Sequence, residues 1–119
     1  MTNTETLERW TRIWNGEVEL ADAVCAEDFT IFFGGTVIAD IGDAARGPKD
    51  LKKLITDFRS TRPGLTYSHL RLYDGGDHGV SVWNAARGDF HVGGIDVFDF
   101  TPEGKIGHVY SVTGERAIG

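Results

Sequence analysis

Apolar residues recur at helical spacing from the start of the chain. Leu7, Trp10, Ile13 and Trp14 share one helix face until Asn15-Gly16 ends the pattern, and Thr2 with Glu5 stands ahead of them at capping-box spacing. A shorter helical piece carrying Leu20, Ala23 and Val24 follows, and then the period changes. Phe29 to Phe33 is a dense β-branched and aromatic run closed by Gly34-Gly35, which predicts the first strand. Between Thr36 and Arg46 the pattern weakens. Val37, Ile38 and Ile41 suit a short edge strand, whereas Asp40, Gly42 and Asp43 suit a loop, and the segment is assigned to the lip of a pocket. Gly47-Pro48-Lys49-Asp50 then opens the clearest helix, with Leu51, Leu54, Ile55 and Phe58 on one face and Arg62-Pro63-Gly64 at its end.

The second half reads as strand and turn throughout. Leu65 to Tyr73, Val80 to Arg87, Phe90 to Phe100 and Lys105 to Glu115 are separated by Asp74-Gly75-Gly76-Asp77, by Arg87-Gly88-Asp89 and by Pro102-Glu103-Gly104. Helices gathered ahead of antiparallel hairpins predict an α+β fold, three N-terminal helices burying their apolar stripes on a mostly antiparallel sheet. With 119 residues and no linker or repeat, the chain is expected to form one domain over 1–119.

Composition narrows the partners. A formal charge of -6 and the lack of a basic stripe set the chain against nucleic acid. No apolar run is long enough to span a bilayer, MTNTETLERW does not resemble a secretion signal, and the single Cys25 cannot form an internal disulfide, so a cytoplasmic location is expected. Three Trp, seven Phe and three Tyr point to an aromatic-lined cavity.

The run Glu8-Arg9-Trp10-Thr11-Arg12-Ile13-Trp14-Asn15-Gly16-Glu17, followed by Ala26-Glu27-Asp28-Phe29, resembles the first helix, its stop and the strand entry of SnoaL-like proteins. Gly94-Ile95-Asp96-Val97-Phe98-Asp99-Phe100 with Gly104-Lys105-Ile106 resembles a hairpin that they share with ketosteroid isomerases. The resemblance implies the nuclear transport factor 2-like superfamily: a cystatin-like cone whose curved sheet encloses an apolar pocket, often as a homodimer joined through the outer sheet face. Val97, Tyr110 and Val112 are then expected near that interface. Members include isomerases, polyketide cyclases, dehydratases and binding modules, so the fold implies a small-molecule ligand more firmly than any one reaction.

Asp96 is the leading candidate for chemistry. Strand alternation puts it on the side of Phe98 and Phe100, where an aromatic wall would raise its pKa and suit it to donate a proton or a hydrogen bond. The bland reading turns it outward, solvated or paired with Arg71 or Arg87. The resemblance assigns Asp96 to the oxyanion-holding aspartate of ketosteroid isomerases, a system that also illustrates the tuning of carboxyl pKa values in general. It also marks departures: Phe33 stands where those enzymes carry the base, Trp10 where they carry a tyrosine, and Ser111 where cyclases carry an aspartate.

Candidates for a second acid or base are His69, His91, His108 and the loop acid Asp40. Candidate pocket-lining residues are Trp10, Phe29, Ile31, Phe33, Phe58, Trp83, Phe98 and Ser111, with Tyr67 able to stack a flat ligand and Trp14 assigned to the core. The histidines show no metal-ligand spacing, and no metal or cofactor is expected. The sequence therefore predicts a cofactor-free enzyme of the isomerase, cyclase or dehydratase kind acting on an apolar carbonyl or polyketide-like compound. The alternative is a non-catalytic module for hydrophobic-ligand binding or dimerisation.

Overall fold

A computed structural model describes residues 1–119. Helix α1 (Asn3–Trp14) starts at the Thr2 cap, where the Thr2 hydroxyl accepts from the Glu5 N–H and the Glu5 carboxylate accepts from the Thr2 N–H. A 3₁₀ turn (Val18–Leu20) leads into the single turn α2 (Ala21–Val24) and then strand β1 (Cys25–Phe33). Helices α3 (Ala39–Ala44) and α4 (Gly47–Ser60) precede β2 (Thr66–Asp74), β3 (His78–Arg87), β4 (Phe90–Phe100) and β5 (Ile106–Thr113). The chain is α+β, four helices on a five-stranded sheet of order β1-β5-β4-β3-β2, with β1 parallel to β5 and every other pair antiparallel.

Two local expectations change. In the second helical piece Ala21 and Val24 are buried, whereas Ala23 is exposed, because the helix lasts only one turn. The segment after Gly35, divided by the sequence between edge strand and loop, instead contains α3. Gly42 explains this: a Cβ there would overlap the Phe33 ring, so glycine lets the short helix lie directly on that side chain. Gly35, Val37 and Ile38, just before α3, do form part of the pocket lip.

The inner sheet face has two zones. At one end Phe29, Phe98, Ile106 and Val109 are fully buried against Leu7, Val24, Leu51 and Ile55 from the helices. One step along the strands, Ser81, Asp96 and Ser111 lie side by side across β3, β4 and β5. Beyond that polar row, Trp83 and Ala85 line an open cavity. On the outer face, the Asn84 side chain pairs with both the N–H and the C=O of Ile118, so the C-terminal tail covers β3 and leaves Phe32, Ile95, Tyr110 and Val112 exposed on the other strands. No helix is long and apolar enough to cross a membrane.

Gly94 faces Trp83 across the β3–β4 pair, and a Cβ on it would collide with the indole and with the Val112 carbonyl. Gly94→Ala is therefore expected to cost about 1–3 kcal/mol, as overpacking of a tight site does, and to shift the tryptophan emission. Urea unfolding followed by intrinsic fluorescence checks both. An unchanged midpoint and spectrum would mean that the indole is not seated on Gly94.

Candidate active site

The polar row meets the helices at Asp96. Its side chain is buried at the edge of the cavity, and each carboxyl oxygen receives an indole N–H: Trp10 Nε1 on Oδ2 and Trp83 Nε1 on Oδ1, both at 3.0 Å. Ser111, its cross-strand neighbour on β5, adds a hydroxyl contact. Burial pushes the Asp96 pKa above the usual carboxylate range, while the Ser111, Trp10 and Trp83 hydrogen bonds pull it back without cancelling the rise. Arg71 and Arg87 play no part; the Arg87 guanidinium donates to the Pro63 carbonyl instead.

Strand alternation explains the inward turn. Phe98 is fully buried two residues along β4, and odd-numbered Ile95 is exposed. Trp10 arrives from the buried face of α1, edge-on to Phe98 with ring centroids 5.5 Å apart. Val82 and Trp83 compete for the inner face, and Trp83 takes it, leaning on Tyr67 at 5.4 Å.

Above this floor lies a cavity of about 350 Å³, within the range of sites for small organic molecules. Its wall includes Trp10, Trp14, Phe33, Phe58, Tyr67, Trp83 and Ser111, and its mouth includes Val37 and Phe90, both exposed. Trp14, assigned to the core from its helical spacing, belongs to both core and wall. Phe29, Ile31 and Phe98 lie in the dry core rather than in the cavity wall, because the polar row separates their end of the sheet from the open end.

Tyr67 is a functional candidate that strand patterning gave only as a stacking surface. The Asn15 side chain accepts from the Tyr67 N–H at 2.7 Å and donates to its carbonyl at 2.9 Å, so the Asn-Gly helix stop also fixes the start of β2. Burial pushes the phenol up to about 12, with the nearby Asp96 charge adding to the rise. The phenol stays protonated at neutral pH, and Tyr67 is among the residues that line the cavity.

The proposed second acids and bases separate. Asp40 and His91 are exposed, and neither lines the cavity. His108 lies on the outer face with Nδ1 2.6 Å from Thr30 Oγ1 and its ring against Tyr110. His69 also stands outside the wall, but its Nδ1 is 3.0 Å from the hydroxyl of Thr11, which lines the cavity. It is thus one hydrogen bond removed from the cavity wall.

Comparison with known proteins agrees with the fold. A candidate isomerase of the SnoaL-like family from Agrobacterium tumefaciens superposes with a TM-score of 0.78 at 20% identity, covering 96% of this chain and 99% of that one. IdmH, a candidate polyketide cyclase from Streptomyces antibioticus, gives 0.76 at 15% identity over 95% and 92%. A candidate ketosteroid isomerase from Kribbella flavida gives 0.74 at 18% identity over 98% and 81%. No curated protein sequence matches the chain significantly.

The paired indoles have a consequence for mutagenesis. Asp96→Asn is nearly isosteric, yet an amide has one acceptor oxygen where the carboxyl has two, so its NH₂ must face an indole N–H. The substitution is expected to destabilise by about 1–3 kcal/mol, the cost of an unsatisfied buried donor. Adding Trp10→Phe or Trp83→Phe to Asp96→Asn should cost less than either replacement costs the native protein, because each removes one of the opposed donors. Strictly additive urea midpoints would count against the two-indole geometry.

The raised Asp96 pKa gives a second test. Its favourable contribution is fully present below the unfolded value of 3.8 and is lost as pH rises through the higher folded value. The native protein should therefore gain stability relative to Asp96→Asn on acidification from neutral pH towards that value. A gap that narrows instead would contradict the direction of the shift.

A buried acid at the floor of an aromatic cavity, on a curved sheet roofed by helices, agrees with the match of the SnoaL-like domain family to residues 7–109, and the chain belongs to that family.

Proposed function

We propose that the protein is a cofactor-free acid–base enzyme of the isomerase or cyclase kind, acting on an apolar carbonyl compound. The observation that carries this reading is the presence of a buried carboxyl, Asp96, and a phenol, Tyr67, among the lining residues of one apolar cavity. A carboxylate has about four lone-pair sites, so one is left after the two indoles and the Ser111 hydroxyl. Ionised Asp96 would take a proton from the carbon next to the carbonyl and return it to another carbon of the resulting enolate. Tyr67 would donate to the carbonyl oxygen while it carries the charge. The raised pKa of Asp96 brings its basicity closer to neutral pH, where proton transfer is more effective. Thr11, backed by His69, would hold a second oxygen of the substrate.

This departs from the familiar steroid mechanism: Phe33 offers no base, and the Trp10 indole is already committed to Asp96. The alternative, a binding module, is favoured by one observation. Both Asp96 oxygens hold tryptophans in place, a role that requires no chemistry.

Proton exchange separates the two without knowledge of the natural substrate. In heavy water the native protein is expected to catalyse deuteration next to the carbonyl of β-tetralone or a similar bicyclic ketone, read by proton NMR. Tyr67→Phe, which removes only the hydroxyl, should slow exchange by about 10²–10³-fold, the usual cost of an oxyanion donor. Binding of the ketone without exchange would select the module.

We also propose a homodimer through the outer sheet face, supported by the exposed Phe32, Ile95, Tyr110 and Val112. Sedimentation at micromolar concentration is expected to give twice the chain mass and Ile95→Glu to give a monomer. A monomeric native protein would overturn this.

A further inference from the structure

The cavity has a second charged group, and it lies at the opposite end from Asp96. Among the lining residues Arg62 is the only cation and Asp96 the only acid. Arg62 stands in the turn after α4, next to Pro63, whose carbonyl is tied to Arg87 at the β3–β4 hairpin. That hairpin carries Phe90 and Val92 of the mouth. Along β4 Val92 is four residues from Asp96, about 13 Å at the usual strand rise, with Gly94 and the Trp83 indole between.

The Arg62 guanidinium is held in place before any ligand arrives. It lies over the Phe58 ring with Cζ 3.8 Å from the centroid, and Nη1 donates to the Phe58 carbonyl and the Thr61 hydroxyl, both at 3.0 Å. Nε and Nη2 make no hydrogen bond within the protein, and no carboxylate forms a salt bridge with Arg62. A half-buried, pre-oriented arginine with two free donor nitrogens suits a carboxylate, and because it is already fixed it loses little freedom on pairing.

The far end has the opposite preference. An anion against Asp96 would meet a buried acid surrounded by indoles, with no cation on the floor to compensate. A neutral carbonyl is compatible with Asp96 and the Tyr67 hydroxyl.

We infer that the cavity takes an apolar monocarboxylic acid, its carboxylate outward on Arg62 and its neutral, carbonyl-bearing end inward at Asp96 and Tyr67. This rests on the reading of the cavity as the ligand site, and it names the substrate class and its direction of entry. The acid group does no chemistry. Arg62 is a specificity residue, setting which end of the molecule reaches the floor.

Tryptophan quenching provides the test, since Trp10, Trp14 and Trp83 all line the cavity. Naphthylacetate and its uncharged analogue naphthylacetamide are titrated into the native protein and Arg62→Gln. The native protein should bind the acid about tenfold or more tighter than the amide, a charge-assisted contact being worth about 1.5–3 kcal/mol. In Arg62→Gln the preference should disappear, while the amide, which reports any damage to the Phe58 wall, binds as before. Equal native affinity for acid and amide, or a preference that survives Arg62→Gln, would overturn the inference. So would binding of neither probe, which would also sink the cavity as a ligand site. Loss of the acid preference with ketone exchange intact would leave the proposed chemistry standing, whereas acid preference without exchange would reject the chemistry alone.

Discussion

The structure depends on one carboxyl group accepting two indoles. A lone carboxylate removed from water costs several kcal/mol, and Asp96 is tolerable inside because Trp10, Trp83 and Ser111 all donate to it. Those donors come from α1, β3 and β5, so the interaction joins the helical layer to three adjacent strands. It also explains why the cavity does not collapse. Each indole has its polar tip fixed on Asp96, Trp10 with its ring also packed against Phe29 and Phe98 of the core and Trp83 with its ring against Tyr67, so neither ring is free to rotate inward.

The same arrangement divides the sheet. Towards one end the side chains are wholly apolar and pack as a dry core; towards the other they are spaced around an opening. The row of Ser81, Asp96 and Ser111 is the boundary, because hydroxyl and carboxyl groups leave the inner face polar where a continued apolar row would have extended the core. Burial on the cavity side of that boundary raises the pKa of Asp96 and of Tyr67, and the proposed chemistry rests on the first of these shifts.

Charge along the cavity adds direction. Asp96 at the floor and Arg62 at the mouth form a fixed polarity through a mostly apolar space, where opposite charges are only weakly screened. The aromatic residues provide area and little orientation. The two charged groups provide orientation.

Much of this was legible in the sequence, for local reasons. The helical stripe of α1, the Thr2 cap, the proline start of α4 and the hairpin turns are written in neighbouring residues, and alternation along β4 put Asp96 on the side of Phe98. What alternation could not give was the partner of each inward residue, since Trp10 and Trp83 meet Asp96 across 86 and 13 positions of chain. Nor could it tell core from cavity: Phe29 and Phe33 share one strand face, and only the packing of α3 and the polar row puts the first in the core and the second in the wall. Tyr67 belongs to the site because Asn15 clamps β2, a contact between distant segments that has no periodic signature, and Arg62, held four residues along by Phe58, belongs to it because of where the end of α4 meets the cavity. Local pattern determined the elements and the inward turn of Asp96; the tertiary structure alone decided what that acid faces, because the geometry between layers is set by side chains that only the folded chain brings together.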